Sequence, residues 1–206
     1  MLRAVHLLIL WQNAFTRQSV IYRLLSSNPQ YTECSNTPLR NLLMTASVKS
    51  IPPLESGDRL SRNEFERRYT AMPHIKKAEL IEGIVYIASP LRFNSHGKPH
   101  ANLIGWLWTY KIATPGVELG DHVTVRLDLD NEPQSDVVLL IDQRLGGQAR
   151  ISDDDYVEGA PELVVEVAAS SAANDLHDKK IVYRRNGVQE YILWQILENK
   201  LNWFSL

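Results

Sequence analysis

The sequence predicts an α/β domain, a mixed sheet of α+β order flanked by helices. Three observations predict it. "VVLLI" and "ELVVEVA" are short, nearly continuous apolar runs, the pattern of strands buried on both faces. Val123, Val125, Leu127 and Leu129 alternate with Thr124, Arg126 and Asp128, the pattern of a half-buried strand. Leu103, Ile104, Leu107 and Trp108 recur at helical spacing between strand segments.

The elements follow in order. "LSRNEFERRYTAM" opens a helix with a capping box, Ser61 and Glu64 satisfying each other's amides. Leu60 and Phe65 stand at the hydrophobic-staple positions, and Pro73 closes the helix. "AELIEGIVYIASP" is a strand, an interruption at Gly83 and more strand. A helix from His100 to Ala113 ends at "TPG", with Trp108 on its core face and Trp106 left open. Strand follows from Val117 to Leu129, then a turn at "DNEPQ", then the apolar strand "SDVVLLI" with Asp136 at its start. "QRLGGQARISDDDYVEGAP" reads as loop. After "ELVVEVA" comes a helix from about Asp175 to Asn186, with Gly187 as its left-handed C′ residue. "EYILWQIL" and "LNWFSL" read as the two arms of a hairpin.

The chain has 206 residues, 44% of them hydrophobic, enough for one core. Its 22 basic and 24 acidic residues leave a formal charge of −2, which excludes a global electrostatic attraction to nucleic acid and leaves only a local patch. A single cysteine, Cys34, excludes an intramolecular disulfide and a cysteine-based zinc cluster, and suits a reducing cytoplasm. The longest apolar run near the start, "AVHLLILW", is too short to span a bilayer. Residues 1–43 are rich in arginine and carry only Glu33 as an acid, so they read as a non-core extension. Either they are a targeting segment or the natural start is Met44; the domain is expected over 44–206.

Asp136 and Glu166 lie on two apolar strands joined by a loop. If the strands are neighbours, both carboxylates reach one point, where their repulsion calls for a proton or a cation. Magnesium suits such a pair and would activate water toward a phosphoryl group. A plainer reading has Asp136 capping a turn and Glu166 paired with a structural arginine such as Arg126. Leu176, Lys179 and Tyr183 share a helix face, so Lys179 lies on the inward stripe, with Lys180 its competitor. An inward lysine beside two carboxylates can orient water and stabilise developing negative charge; otherwise it covers the core with its stem and keeps its charge in water. Ser170 and Ser171 have no base beside them and suit turn or cap roles.

"PQSDVVLLI", "GAPELVVEVAASS", "DLHDKKIVYRRNGVQEYILW" and "AELIEGIVYIASP" together resemble the Uma family of restriction endonucleases, within the PD-(D/E)XK nuclease superfamily. The resemblance runs from about Leu54 to the C-terminus. It implies a restriction endonuclease-like core and a Mg2+-dependent endonuclease acting on DNA. By position, Asp136 and Glu166 match the metal-binding acids and Lys179 matches the lysine this family carries on the following helix. The superfamily pattern puts that lysine two residues after the glutamate, where this chain has Ala168. Glu79 matches a further glutamate able to assist metal binding, with Glu82 a weaker counterpart. Ser135 stands where the family has proline, and the family continues beyond the point where this chain stops, so the domain reads as C-terminally short.

His96 and His100 are four apart, but Gly97 and Pro99 between them indicate a loop entering a helix. His96 resembles a family position near the active site, with a possible contact to substrate. Lys180, Arg184 and Arg185 with Lys179 form a local basic cluster able to meet nucleic acid, or else a solvated helix end. The competing function is an inactive nuclease-fold protein that only binds nucleic acid or protein. A homodimer suits an enzyme that cuts two strands, and no feature suggests a membrane.

Overall fold

The computed structural model describes residues 51–169 and 175–206. The extension expected over 1–43, the start at Met44 and the roles of Ser170 and Ser171 lie outside the described residues. Among the described residues no helix is long and apolar enough to cross a membrane.

Helix α1 (Arg62–Thr70) precedes a small hairpin, β1 (Ala78–Ile81) with β2 (Ile84–Ile87). Ile81 pairs with Ile84, so the turn has two residues, Glu82 at φ 52° and Gly83 at φ 71°. Positive φ at both positions is the turn whose twist matches antiparallel strands, which explains the Gly83 interruption. A π-helical turn (Phe93–Gly97) leads into α2 (Lys98–Ala113). Strands β3 (Val117–Arg126), β4 (Gln134–Ile141), β5 (Arg150–Ile151), β6 (Val157–Glu158) and β7 (Leu163–Ala168) follow. A second π turn (Asp175–Lys179) runs into α3 (Lys180–Asn186), and β8 (Glu190–Gln195) and β9 (Lys200–Ser205) end the chain.

The main sheet has the order β5-β6-β3-β4-β7-β8-β9. It is mixed: β7 and β8 run parallel across the α3 crossover, whereas β3–β4, β4–β7 and β8–β9 are antiparallel. Side chains alternate across β7. Leu163, Val165 and Val167 meet Leu103, Trp106, Leu107 and Tyr110 of α2 on one face. Val164 and Ala168 meet Tyr183, Val188 and Tyr191 on the other. Both faces are covered, which is why this strand reads as a continuous apolar run. Gly187 ends α3 at φ 90°, as its position predicts.

Four expectations need correction. Trp108 is 51% exposed, while Trp106 is buried and meets the Trp203 ring edge-on at 6.0 Å. The buried stripe Leu103–Trp106–Leu107–Tyr110 fixes the helix face, and one further residue turns Trp108 about 100° away from it. The capping box is not formed: Ser61 makes no side-chain cap bond, because Glu64 is held by Arg67 and Arg68, each at 2.7 Å. Strand β3 stops at Arg126, because Asp128 accepts from the Asp130 amide and the Asn131 side chain and turns the chain. The segment read as loop after β4 adds two short strands, β6 pairing parallel to the end of β3.

The hairpin is fastened to the sheet through Leu80 and Glu132, whose backbones exchange hydrogen bonds of 2.8 and 3.1 Å. The Glu132 side chain is buried beside Glu66 and near Arg126. Burial first, then the hydrogen bond and charge of Glu66, push its carboxyl up to about 8. A folded-state pKa above the unfolded one means that the native state holds the extra proton. Stability from this group is therefore fully present below about pH 4.5 and lost as pH rises through about 8. Glu132→Gln should flatten that decline, so its melting temperature gains on wild type from pH 5 to pH 9; thermal denaturation across this range checks it.

Candidate functional site

Strand register assembles the site. Asp121 pairs with Val137 and Val123 with Ser135, while Val137 pairs with Val165 on the other side. Carried on by one residue, these registers set His122 opposite Asp136 and Asp136 opposite Glu166. Residues opposite each other in antiparallel strands project from the same face. At this end of the ladder the Asp136 side chain replaces a backbone partner: its Oδ2 accepts the Val167 amide at 2.8 Å. His122 sits in the left-handed region at φ 51°, a conformation that costs a β-carbon residue about 1 kcal/mol or more.

Glu166 is 3% exposed and does not meet Arg126, which pairs instead with Glu66 and Asp154. Its partners come from the crossover helix. The Tyr183 hydroxyl donates to Glu166 Oε1 at 2.8 Å, and Lys179 Nζ donates to the same oxygen at 3.1 Å. Lys179 Nζ also lies 3.0 Å from both oxygens of Glu79 and 3.4 Å from Asp175 Oδ1. Glu79 Oε1 in turn accepts the Gln134 amide at 2.9 Å. Burial pushes the Glu166 carboxyl up to about 8, only partly offset by Lys179 and reinforced by Asp136. Burial opposes the charge of Lys179, but Glu166 and Glu79 outweigh it and hold the lysine well above its ordinary value. Ser135, in place of the family's proline, is within 3.2 Å of the Tyr183 hydroxyl, a hydrogen bond proline cannot make.

Asp136 has its own cation. Lys77 Nζ lies 3.2 Å from Asp136 Oδ1. Burial works to raise the carboxyl, but Lys77 above all, with the Val167 amide, holds it below the ordinary aspartate range. Three histidine rings crowd the same end: His96 and His100 stack with centroids 5.6 Å apart, and His122 lies 4.6 Å from His100. The π turn continues into α2 without the expected loop, so His96 and His100 share one helix face.

The carboxyl groups of Glu79, Glu166 and Asp175 thus gather round the Lys179 ammonium, while Asp136 next to them pairs with Lys77. No three of these four acids bring ligand atoms within 4.8 Å of one another among the described residues, so a shared ion would need their side chains to close in. Oxygen donors of this kind suit a hard ion such as magnesium.

The structure brings together Asp136, Glu166, Lys179, Glu79 and His96. It does not bring the others. Glu82 is exposed at the hairpin turn and pairs with Arg185 at 2.9 Å. Lys180 turns away from the site and places Nζ 3.8 Å from the Phe204 ring, and Arg184 is exposed. Sequence reasoning missed Lys77, Tyr183 and His122. Tyr183 had a signal, its place one turn after Lys179; Lys77 had none, lying before β1 in a segment with no period.

A family model described as "Uma2: Putative restriction endonuclease" matches residues 62–206. The chain belongs to the Uma2 family. A crystal structure of "a putative nuclease belonging to DUF820" from Anabaena variabilis is similar, at 14% identity and a TM-score of 0.49, covering 68% of this chain and 78% of that one. No curated protein matches. Every residue that joins the Uma2 chain's buried site lies within the matched span.

Lys179 holds the site together electrostatically. Lys179→Met leaves Glu79 and Glu166 buried without their cation, and urea unfolding at pH 8 should show a loss of about 3–5 kcal/mol, smaller at pH 5 where Glu166 takes up a proton. Replacing exposed Arg184 by Met should change stability by less than about 0.5 kcal/mol.

Proposed function

We propose that this chain is a magnesium-dependent endonuclease that hydrolyses phosphodiester bonds in DNA. The observation that carries the reading is Lys179, turned inward to within 3.1 Å of Glu166 while the strand register sets Glu166 beside Asp136. Membership of a family described as restriction endonucleases supports a nuclease. Asp136 and Glu166 would hold the metal, with Glu79 assisting. When bound, such an ion polarises a phosphoryl oxygen and lowers the pKa of water.

The chain's own residues do the rest. Lys179, freed from part of its carboxylate contact, orients the attacking water and stabilises the charge that develops on the phosphate. Tyr183 keeps one Glu166 oxygen fixed through its hydroxyl. His96, Lys180 and Arg184 are the proposed contacts to substrate, with Lys180 the least favoured by its seat on Phe204. A homodimer would supply two such sites for two strands.

One observation favours a second reading, a nuclease-fold protein that binds without turnover. Lys77 and Lys179 already neutralise part of the carboxylate set. Plasmid nicking separates the two. The endonuclease reading expects magnesium-dependent nicking that falls by about 100-fold or more in Asp136→Ala and Glu166→Ala. Absence of nicking by wild type, or full activity in both variants, rejects it.

A further inference from the structure

We propose a second cation site beside Asp136, built by two histidines and suited to a borderline d-block ion such as Zn2+, Mn2+ or Co2+ rather than magnesium. Its ligands are His96 Nε2, His122 Nε2 and Asp136 Oδ1. Ligand atoms of these three residues all lie within 4.8 Å of one another. The proposal shares Asp136 with the endonuclease reading but does not depend on turnover.

Each histidine is prepared in the same way. His96 Nδ1 is 3.2 Å from the Val167 carbonyl, which can only accept, so Nδ1 carries a proton and the neutral ring holds its lone pair on Nε2. That Nε2 is buried and has no hydrogen-bond partner among the described residues, in a residue 8% exposed. A lone pair buried without a donor is a cost that a ligand would remove. His122 Nδ1 lies 2.6 Å from Asp121 Oδ1, again an acceptor, so the neutral ring has its lone pair on Nε2. A ring held from behind by a carbonyl or a carboxylate is the arrangement that fixes the tautomer of a metal-ligating histidine.

The spacing agrees. His96 Nε2 is 3.6 Å and His122 Nε2 is 3.8 Å from Asp136 Oδ1. Ligand atoms on a tetrahedral ion about 2.0 Å away stand about 3.3 Å apart, so each histidine needs a few tenths of an ångström of closure toward Asp136. The backbone of His122 points the same way. A non-glycine residue at φ 51° inside a strand stores strain, and here that strain turns the ring toward Asp136. Imidazole nitrogens select against magnesium and favour borderline ions. Lys77 is the resident competitor, its ammonium 3.2 Å from the same Asp136 oxygen. His100 stands behind the set, its Nε2 3.2 Å from Asp121 Oδ1 and 3.1 Å from the Asp136 carbonyl.

The test uses Co2+ with untagged full-length protein. Visible d–d absorption should saturate with at least one ion per chain and survive excess magnesium. His96→Gln and His122→Asn should each weaken Co2+ affinity about tenfold or more; asparagine tolerates the left-handed backbone, so the second variant keeps the chain path. Glu198→Gln, at the exposed turn between β8 and β9, should leave the affinity within about threefold, and Lys77→Met should tighten it. Proton NMR of the wild-type Co2+ complex should show two hyperfine-shifted exchangeable resonances from the two Nδ1 protons, a readout that needs no variant. Unchanged binding in both histidine variants, equal competition by magnesium, or absence of the two shifted resonances overturns the proposal.

Discussion

The buried ammonium of Lys179 is the interaction on which the site depends. It lies on a crossover helix that must pass over β7, and it meets carboxylates from β1, β7 and its own helical turn. Without that charge, Glu79 and Glu166 would be buried carboxylates with no cation between them. The remaining parts follow from this anchor. Tyr183, one turn on, fixes Glu166, and Ser135 fixes Tyr183.

Glu162 shows what a purely structural carboxylate looks like in the same strand region. It is as buried as Glu166, yet its two oxygens accept the amides of Ile141 and Gln148 at 2.8 and 2.9 Å. Backbone amides satisfy it completely and tie a loop to the sheet. Among the described residues Glu166 accepts instead from side chains, the Tyr183 hydroxyl and the Lys179 ammonium. The difference lies in the donors, because two glutamates four residues apart in one apolar stretch have the same pattern of neighbours.

This contrast also marks how far sequence reading goes. The strands β4, β7 and β8 were legible because burial on both faces leaves an uninterrupted apolar run, and the inward face of the last helix was legible from the three-four spacing of Leu176, Lys179 and Tyr183. Trp108 was misplaced because a helix with apolar residues all round does not declare its core face. His122 was invisible for a different reason. Its alternation puts it among the polar residues of β3, and only the β3–β4 register reveals that Asp136 is its neighbour. Lys77 comes from an irregular segment and reaches Asp136, 59 residues away in sequence, by tertiary placement alone.

The hydrogen bond between Lys179 and Glu79 spans 100 residues of chain. Contacts of that range form only after the intervening segments have ordered, since the entropy of closing so long a loop is recovered only when the sheet is in place. Glu79, His122, Asp136, Glu166 and Lys179 come from separate elements, and the lysine comes last. A ribosome releases none of the site's chemistry until that last helix has emerged and docked. The order of the elements therefore means that no shorter nascent chain can carry the assembled cluster.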